Sequence, residues 1–203
     1  MSESIKEQVR LLKQDFRTMM NGPVSASLRE KGLNYSVIYG IEWQRLVDIA
    51  SQTGFNHELA QALWKEDIRE CRLLAGLVQP AKTFLPEIAD IWIDSMHYPE
   101  EAQYTTMSIF QRMPEASTQA FLWIADEREM FQLCGWLLLS RLLMRGAPLN
   151  FRSEDEFVDQ AEVALHSSNL HIAVAVRNAV IKYAQIGSRE ELRVNKLLQQ
   201  CQF

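Results

Sequence analysis

Two stretches of the chain, LWKEDIRECRLLAGLV at 63–78 and LWIADEREMFQLCGWL at 122–137, align without a gap at an offset of 59 residues. Leu63, Trp64, Asp67, Arg69, Glu70, Leu74 and Gly76 meet the identical Leu122, Trp123, Asp126, Arg128, Glu129, Leu133 and Gly135. Shared leucines are common between any two amphipathic helices. A shared Trp, Asp, Arg and Gly at fixed spacing are not. In each copy an apolar helix ends at Leu-Trp, and an acid then stands where it can cap the next helix. Small residues follow, Ala75-Gly76 in one copy and Cys134-Gly135 in the other, where two helices would press close. A helix pair of this kind cannot bury its face alone and has to stack on a neighbour. That is the logic of an α-solenoid.

The rest of the chain keeps the same rhythm. Ile5, Val9, Leu12 and Phe16 make one apolar stripe at helical spacing, which predicts a helix over 4–20. Asn21-Gly22 ends it, and Pro23 opens a short helix closed by Gly32. The run LNYSVIYGI (33–41) is the one strand-like stretch, and it reads as an ordered loop. Helices are then expected over 42–51, 57–64, 67–78, 86–96, 99–113, 117–125, 128–145, 153–166, 170–186 and 188–200, with Ser153 as a cap and GAPLNF (146–151) as a loop. With only 8 Gly and 6 Pro, the chain is short of the turns that an all-β fold consumes. The expectation is an all-α superhelix of five to six antiparallel helix pairs, forming one domain over 1–203.

Cys71, Cys134 and Cys201 are odd in number and widely spaced, so neither a disulfide framework nor a zinc ribbon is indicated. Cys71 and Cys134 fall at apolar helical positions and read as core thiols. A reduced, cytoplasmic setting follows. The N-terminal MSESIKEQVRLLKQDF is charged and periodic, unlike a secretory signal. The most apolar window, 130–144, is too short to span a bilayer and reads as a buried helix. No membrane association is expected. The tryptophans Trp43, Trp64, Trp92, Trp123 and Trp136 sit at core phases of their helices. His57, His166 and His171 lack metal-ligand spacing and read as surface or capping residues.

The net charge of −5 argues against strong DNA binding by the whole surface. Charge is uneven, however. Residues 42–101 hold 11 acids against 5 bases, whereas from Arg177 onward 5 bases (Arg177, Lys182, Arg189, Arg193 and Lys196) face only Glu190 and Glu191. Those five are the candidate phosphate-gripping strip, with an ordinary solvated face as the plainer reading. The acidic tract SEDEFVDQAE (153–162) is expected to face away from any duplex.

The helix-pair array, the segment MNGPVSASLREKGLNYSVIYGIEWQRLVDIA (20–50), the LWKEDIRECRLLAG after it and the late VRNAVIKYA (176–184) together resemble the DNA alkylation repair proteins. These are the AlkD-like glycosylases built from HEAT-like repeats. The resemblance implies a curved superhelix that grips duplex DNA on its concave face. In active members it implies excision of alkylated, positively charged purines. It further implies a W-x-x-x-D arrangement at a helix start, completed by an arginine and a second tryptophan on later repeats. A carboxylate there steadies the cationic sugar as the base leaves, and aromatic faces attract the cationic lesion.

The stretch HYPEEAQY (97–104) lies where that arrangement falls. Tyr98 takes the place of the tryptophan, and Ala102 stands where the aspartate is expected. Glu101 is one residue earlier, about 100° around a helix. The arginine position falls near Gln132 or Leu133 and the later tryptophan near Asn178, and no Trp follows Trp136. The plain reading of HYPEEAQY is a helix start. Pro99 presets the first turn, and Glu100 and Glu101 complement the helix dipole. The alternatives are a shifted catalytic role for Glu101 with Tyr98 as aromatic platform, or a metal held by His97 with Glu100 or Glu101. No third ligand stands nearby, so no metal or cofactor is expected.

Three functions follow as expectations. The first is a family member whose glycosylase chemistry is lost and which binds DNA weakly through its C-terminal bases. The second is an active alkylpurine glycosylase with a relocated carboxylate. The third is a scaffold that holds a protein partner in its concave face.

Overall fold

The structure, a computed structural model, describes residues 3–146 and 151–200. Among them are twelve α-helices and two short 3-10 turns, with no strand beyond one isolated bridge. Cys201 and residues 147–150 of the expected loop GAPLNF lie outside the described residues. The chain divides into two compact units, one up to Leu85 and one from Pro86 onward.

The first unit contains α1 (Glu3–Thr18), α2 (Gly22–Glu30), α3 (Trp43–Thr53), α4 (His57–Trp64) and α5 (Arg69–Val78). The α1 stripe is as expected: Ile5, Val9, Leu12 and Phe16 are all buried, and α1 packs on α4. The side chain of Asn21 caps α2 by accepting the Val24 N–H at 3.3 Å. The run 33–41 is the ordered loop its composition indicates, with Tyr35, Ile38, Tyr39 and Ile41 buried. Its single strand-like contact is a parallel bridge from Val37 to Ile68.

Glu70 holds that loop in place. Its carboxylate is fully buried and accepts the N–H groups of Tyr39 (3.0 Å), Gly40 (2.9 Å) and Ile41 (3.3 Å). The buried Arg69 guanidinium donates to the same carboxylate at 3.1 Å and to the Ile41 carbonyl at 3.2 Å. Four donors compensate what burial of a carboxylate costs. The loop is further tied by Ser25 Oγ donating to the Ile38 carbonyl (2.7 Å) and by the Asn21 N–H donating to the Tyr39 carbonyl (2.8 Å). Gly40 is required here. Its φ is +75°, and an added Cβ would lie 2.4 Å from the Asn21 carbonyl oxygen.

The second unit contains α6 (Pro86–Asp94), α7 (Pro99–Ser108), α8 (Ala116–Ile124), α9 (Glu129–Met144), α10 (Phe151–Ala164), α11 (Leu170–Ala184) and α12 (Ser188–Gln200). The apolar window 130–144 is the buried helix expected: α9 packs on α6, α7, α8 and α11. Aromatic rings link successive helices, Phe110 to Trp123 at 4.9 Å, Trp136 to Phe157 at 5.8 Å and Phe157 to Tyr183 at 4.9 Å. Four of the five tryptophans are core residues, and Trp43 is half-buried.

Two expected boundaries need correction. The helix from Pro99 does not reach Met113. It ends at Ser108, where Ile109 leaves helical geometry (φ −127°), and a 3-10 turn (Phe110–Arg112) sets Phe110 against Trp123. Packing of that ring outweighs helix continuation. Ser153 does not cap α10 either, because the helix is already formed at Phe151.

The repeat is real as structure. Each copy is a helical hairpin, α4–α5 and α8–α9, joined by the four residues 65–68 and 125–128. Both tryptophans are buried. At Gly135 a Cβ would lie 2.7 Å from the Ile124 amide nitrogen and 2.9 Å from the Ala120 carbonyl oxygen, so α8 and α9 touch backbone to backbone. The polar half diverges. The Arg69 side chain is 6% exposed, whereas that of Arg128 is 52% exposed. Arg128 pairs with Asp94 (2.7 Å) and Asp126 (2.7 Å).

Gly135→Ala is expected to lower stability by about 1–3 kcal/mol, because the methyl meets backbone that cannot yield. Glu70→Ala is expected to cost about 3–5 kcal/mol by leaving a buried guanidinium and three N–H groups without their acceptor. Denaturant titration of each variant checks both values.

Candidate functional site

The stretch that the resemblance singles out is the start of α7. Tyr98 is its N-cap, in extended conformation (φ −130°, ψ 140°), and Pro99 opens the first turn. The first N–H groups of a helix have no partner within it. Glu101 reaches back to this helix start: its Oε2 accepts the N–H of His97 at 2.6 Å and of Tyr98 at 3.0 Å. This is the returning half of a capping box. Glu101 is 0% exposed, and so is Ala102. Tyr98 is half-buried with its ring edge-on to that of the exposed His97, 6.2 Å away. The core lies behind the acid. Cys134 Sγ is 3.9 Å from Met96 Sδ, and burial pushes the Cys134 thiol upward, with the negative charge of Glu101 adding to the effect.

On the later helices, Gln132 is half-buried and donates to the Asp126 carbonyl at 2.7 Å. Leu133 is buried and Asn178 is exposed. The arginine at the start of the same helix is Arg128. Its guanidinium lies 3.6 Å over the Phe131 ring. Its hydrogen bonds hold the Asp126 carboxyl down at about 2.

The five C-terminal bases do not form one uninterrupted strip. Arg189 Nη2 lies 2.7 Å from Glu154, and Arg193 reaches Glu154 at 3.4 Å and Asp155 at 2.5 Å. The acidic tract places its first acids, Glu154 and Asp155, directly on two of the candidate bases. Opposite charges 35 or more residues apart attract once α10 and α12 are packed together. Arg177 and Lys196 are exposed, and Lys182 donates to Gln185 at 3.2 Å.

Two bases that the sequence reading passed over do come together. Arg145, at the end of α9, donates to the Gln111 carbonyl at 3.1 Å, beside Arg112. Burial lowers the pKa of Arg112, and the like charge of Arg145 lowers it further. Each is an ordinary helix-end cation in sequence, so nothing in the one-dimensional pattern pairs them.

No group of three or more His, Cys, Asp or Glu that could hold a metal ion occurs among the described residues. Nor, among them, is any helix long and apolar enough to cross a membrane. His57 Nδ1 accepts from the buried Gln79 side chain at 3.0 Å, and Asn169 caps α11 through the His171 N–H at 3.0 Å.

Fold and site together define an all-helical repeat protein in which the stretch HYPEEAQY is a capped helix start. The chain belongs to the DNA alkylation repair enzyme family, whose profile matches residues 12–193. No curated protein matches the chain. A solved structure from a new family of proteins related to the HEAT-like repeat DNA glycosylases, with affinity for branched DNA structures, superposes with a TM-score of 0.84. The sequences are 17% identical, and the match covers 95% of this chain and 82% of that one. The all-α helix-pair fold expected from the repeat, and its HEAT-like character implied by the resemblance, are thereby established.

Glu101→Ala leaves the N–H groups of His97 and Tyr98 without their buried acceptor and is expected to cost about 1–3 kcal/mol. Glu101→Gln keeps an acceptor oxygen and is expected to lose less. Thermal and denaturant unfolding of the two variants gives the comparison, and equal stability of Glu101→Ala and the parent would contradict the capping role.

Proposed function

We propose that this protein is a DNA-binding member of the alkylation repair family that does not excise bases through a carboxylate at the family's motif position. The observation that carries this reading is the state of α7. The residue where an aspartate is expected is Ala102, with its methyl fully buried, and the adjacent Glu101 carboxylate is committed to the N–H groups of His97 and Tyr98. A group that stabilises a developing cation has to point at it from a preorganised position. Glu101 instead points back at its own backbone.

DNA binding rests on family membership and on the structural neighbour's affinity for branched DNA. Branched DNA is therefore the first structure to test. Of the C-terminal bases, Lys182 and Lys196 support phosphate contact more directly than Arg189 and Arg193, which already face Glu154 and Asp155. With a net charge of −5, binding is expected to be weak and strongly salt-dependent.

The test has two arms. Incubated with DNA carrying N-methylated purines, the protein is expected to release no free base above the buffer rate. Titrated with a labelled four-way junction at low salt, it is expected to retard the junction and to release it as salt rises. Base release that Glu101→Gln abolishes would overturn the first half of the reading. No retardation of junction or duplex would overturn the second.

A further inference from the structure

Three helices of the second unit end side by side. The end of α9 meets the turn after α7 through Arg145 Nη1 and the Gln111 carbonyl, 3.1 Å apart. The ends of α9 and α11 share an open groove of about 430 Å³, lined by Leu143, Met144 and Gly146 from one and by Lys182, Gln185 and Ile186 from the other. Each of the three ends carries a base near this edge: Arg112 after α7, Arg145 after α9, and Lys182 in the last turn of α11.

A cation in the last turn of a helix is ordinarily a partner for the helix dipole. That accounts for each base singly. It does not account for a guanidinium that leaves its own helix end to bond a neighbour's carbonyl beside a second guanidinium. Like charges brought together disfavour the charged form of each other. Burial lowers the pKa of the Arg112 guanidinium, and the like charge of Arg145 lowers it further.

We propose that Arg112, Arg145 and Lys182 form a row that takes backbone phosphates of a nucleic acid along the edge where α7, α9 and α11 end. The proposal rests on the DNA-binding reading above and names where the backbone is gripped. Helices pack about 8–10 Å apart. Three successive ends therefore span roughly 16–20 Å, about five or six nucleotides at a rise of about 3.4 Å per nucleotide on one strand. The row reads no bases. It sets the position and direction of a strand along the helix ends.

The experiment compares the whole protein with Arg112→Gln/Arg145→Gln/Lys182→Gln and with a control of equal charge change, Arg10→Gln/Arg17→Gln/Lys31→Gln. Affinity for a labelled four-way junction and for a duplex is measured over a range of salt, with thermal unfolding confirming that each variant is folded. The row variant is expected to bind at least tenfold more weakly at low salt. Its slope of log affinity against log salt is expected to shrink by about 0.9 for each phosphate no longer neutralised. The control is expected to move much less. Binding by the parent with an unchanged slope in the row variant would overturn this inference alone, and so would equal losses in row variant and control. Failure of the parent to bind either DNA would remove the DNA-binding reading and the row with it.

Discussion

A carboxylate taken out of water has to be met by donors, and at the start of α7 those donors are backbone N–H groups of the helix start itself. Glu101 accepts two of them and is wholly enclosed. These hydrogen bonds fix where α7 begins and how Tyr98 is held. They also leave the Glu101 carboxylate turned back on its own helix start and not outward. A second buried carboxylate works on the same principle in the first unit, where Glu70 gathers three N–H groups of the 39–41 loop and the Arg69 guanidinium. In both places an acid near a helix start organises backbone, and in both it is closed off from solvent.

The repeat shows how a shared sequence is used twice for different ends. Leu-Trp, the small residues and the four-residue link make the same hairpin in both copies, because close helix packing admits few alternatives. The polar residues answer to their neighbours instead. Arg69 and Glu70 have a loop to bind and are buried by it. Arg128 has Asp94 and Asp126 within reach on the surface and stays exposed, and Glu129 accepts the side-chain N–H of Asn169 at 2.9 Å. The two copies agree in packing and differ in hydrogen bonding.

This division also explains what could be read in one dimension. The Ile5–Phe16 stripe, the buried α9 and the loop at 33–41 were legible because burial is written as periodicity and composition. The break at Ile109 was not, since it depends on Phe110 meeting Trp123 on another helix. The role of Glu101 was half-legible. Its place in the first turn is visible, but the residue at the cap is Tyr98 rather than the Ser or Thr that marks a capping box. The charges were least legible of all. Arg189 with Glu154, Arg193 with Asp155, and Arg145 beside Arg112 are brought together from 33 to 38 residues apart by helix packing alone.

The most direct measurement is amide hydrogen exchange at His97 and Tyr98, with and without bound DNA. If Glu101 is a permanent cap, both N–H groups exchange as slowly as neighbouring core amides, and DNA leaves that protection unchanged. Exchange at the rate of an open loop, or protection that disappears when DNA binds, would show the carboxylate free to turn outward and would contradict the account.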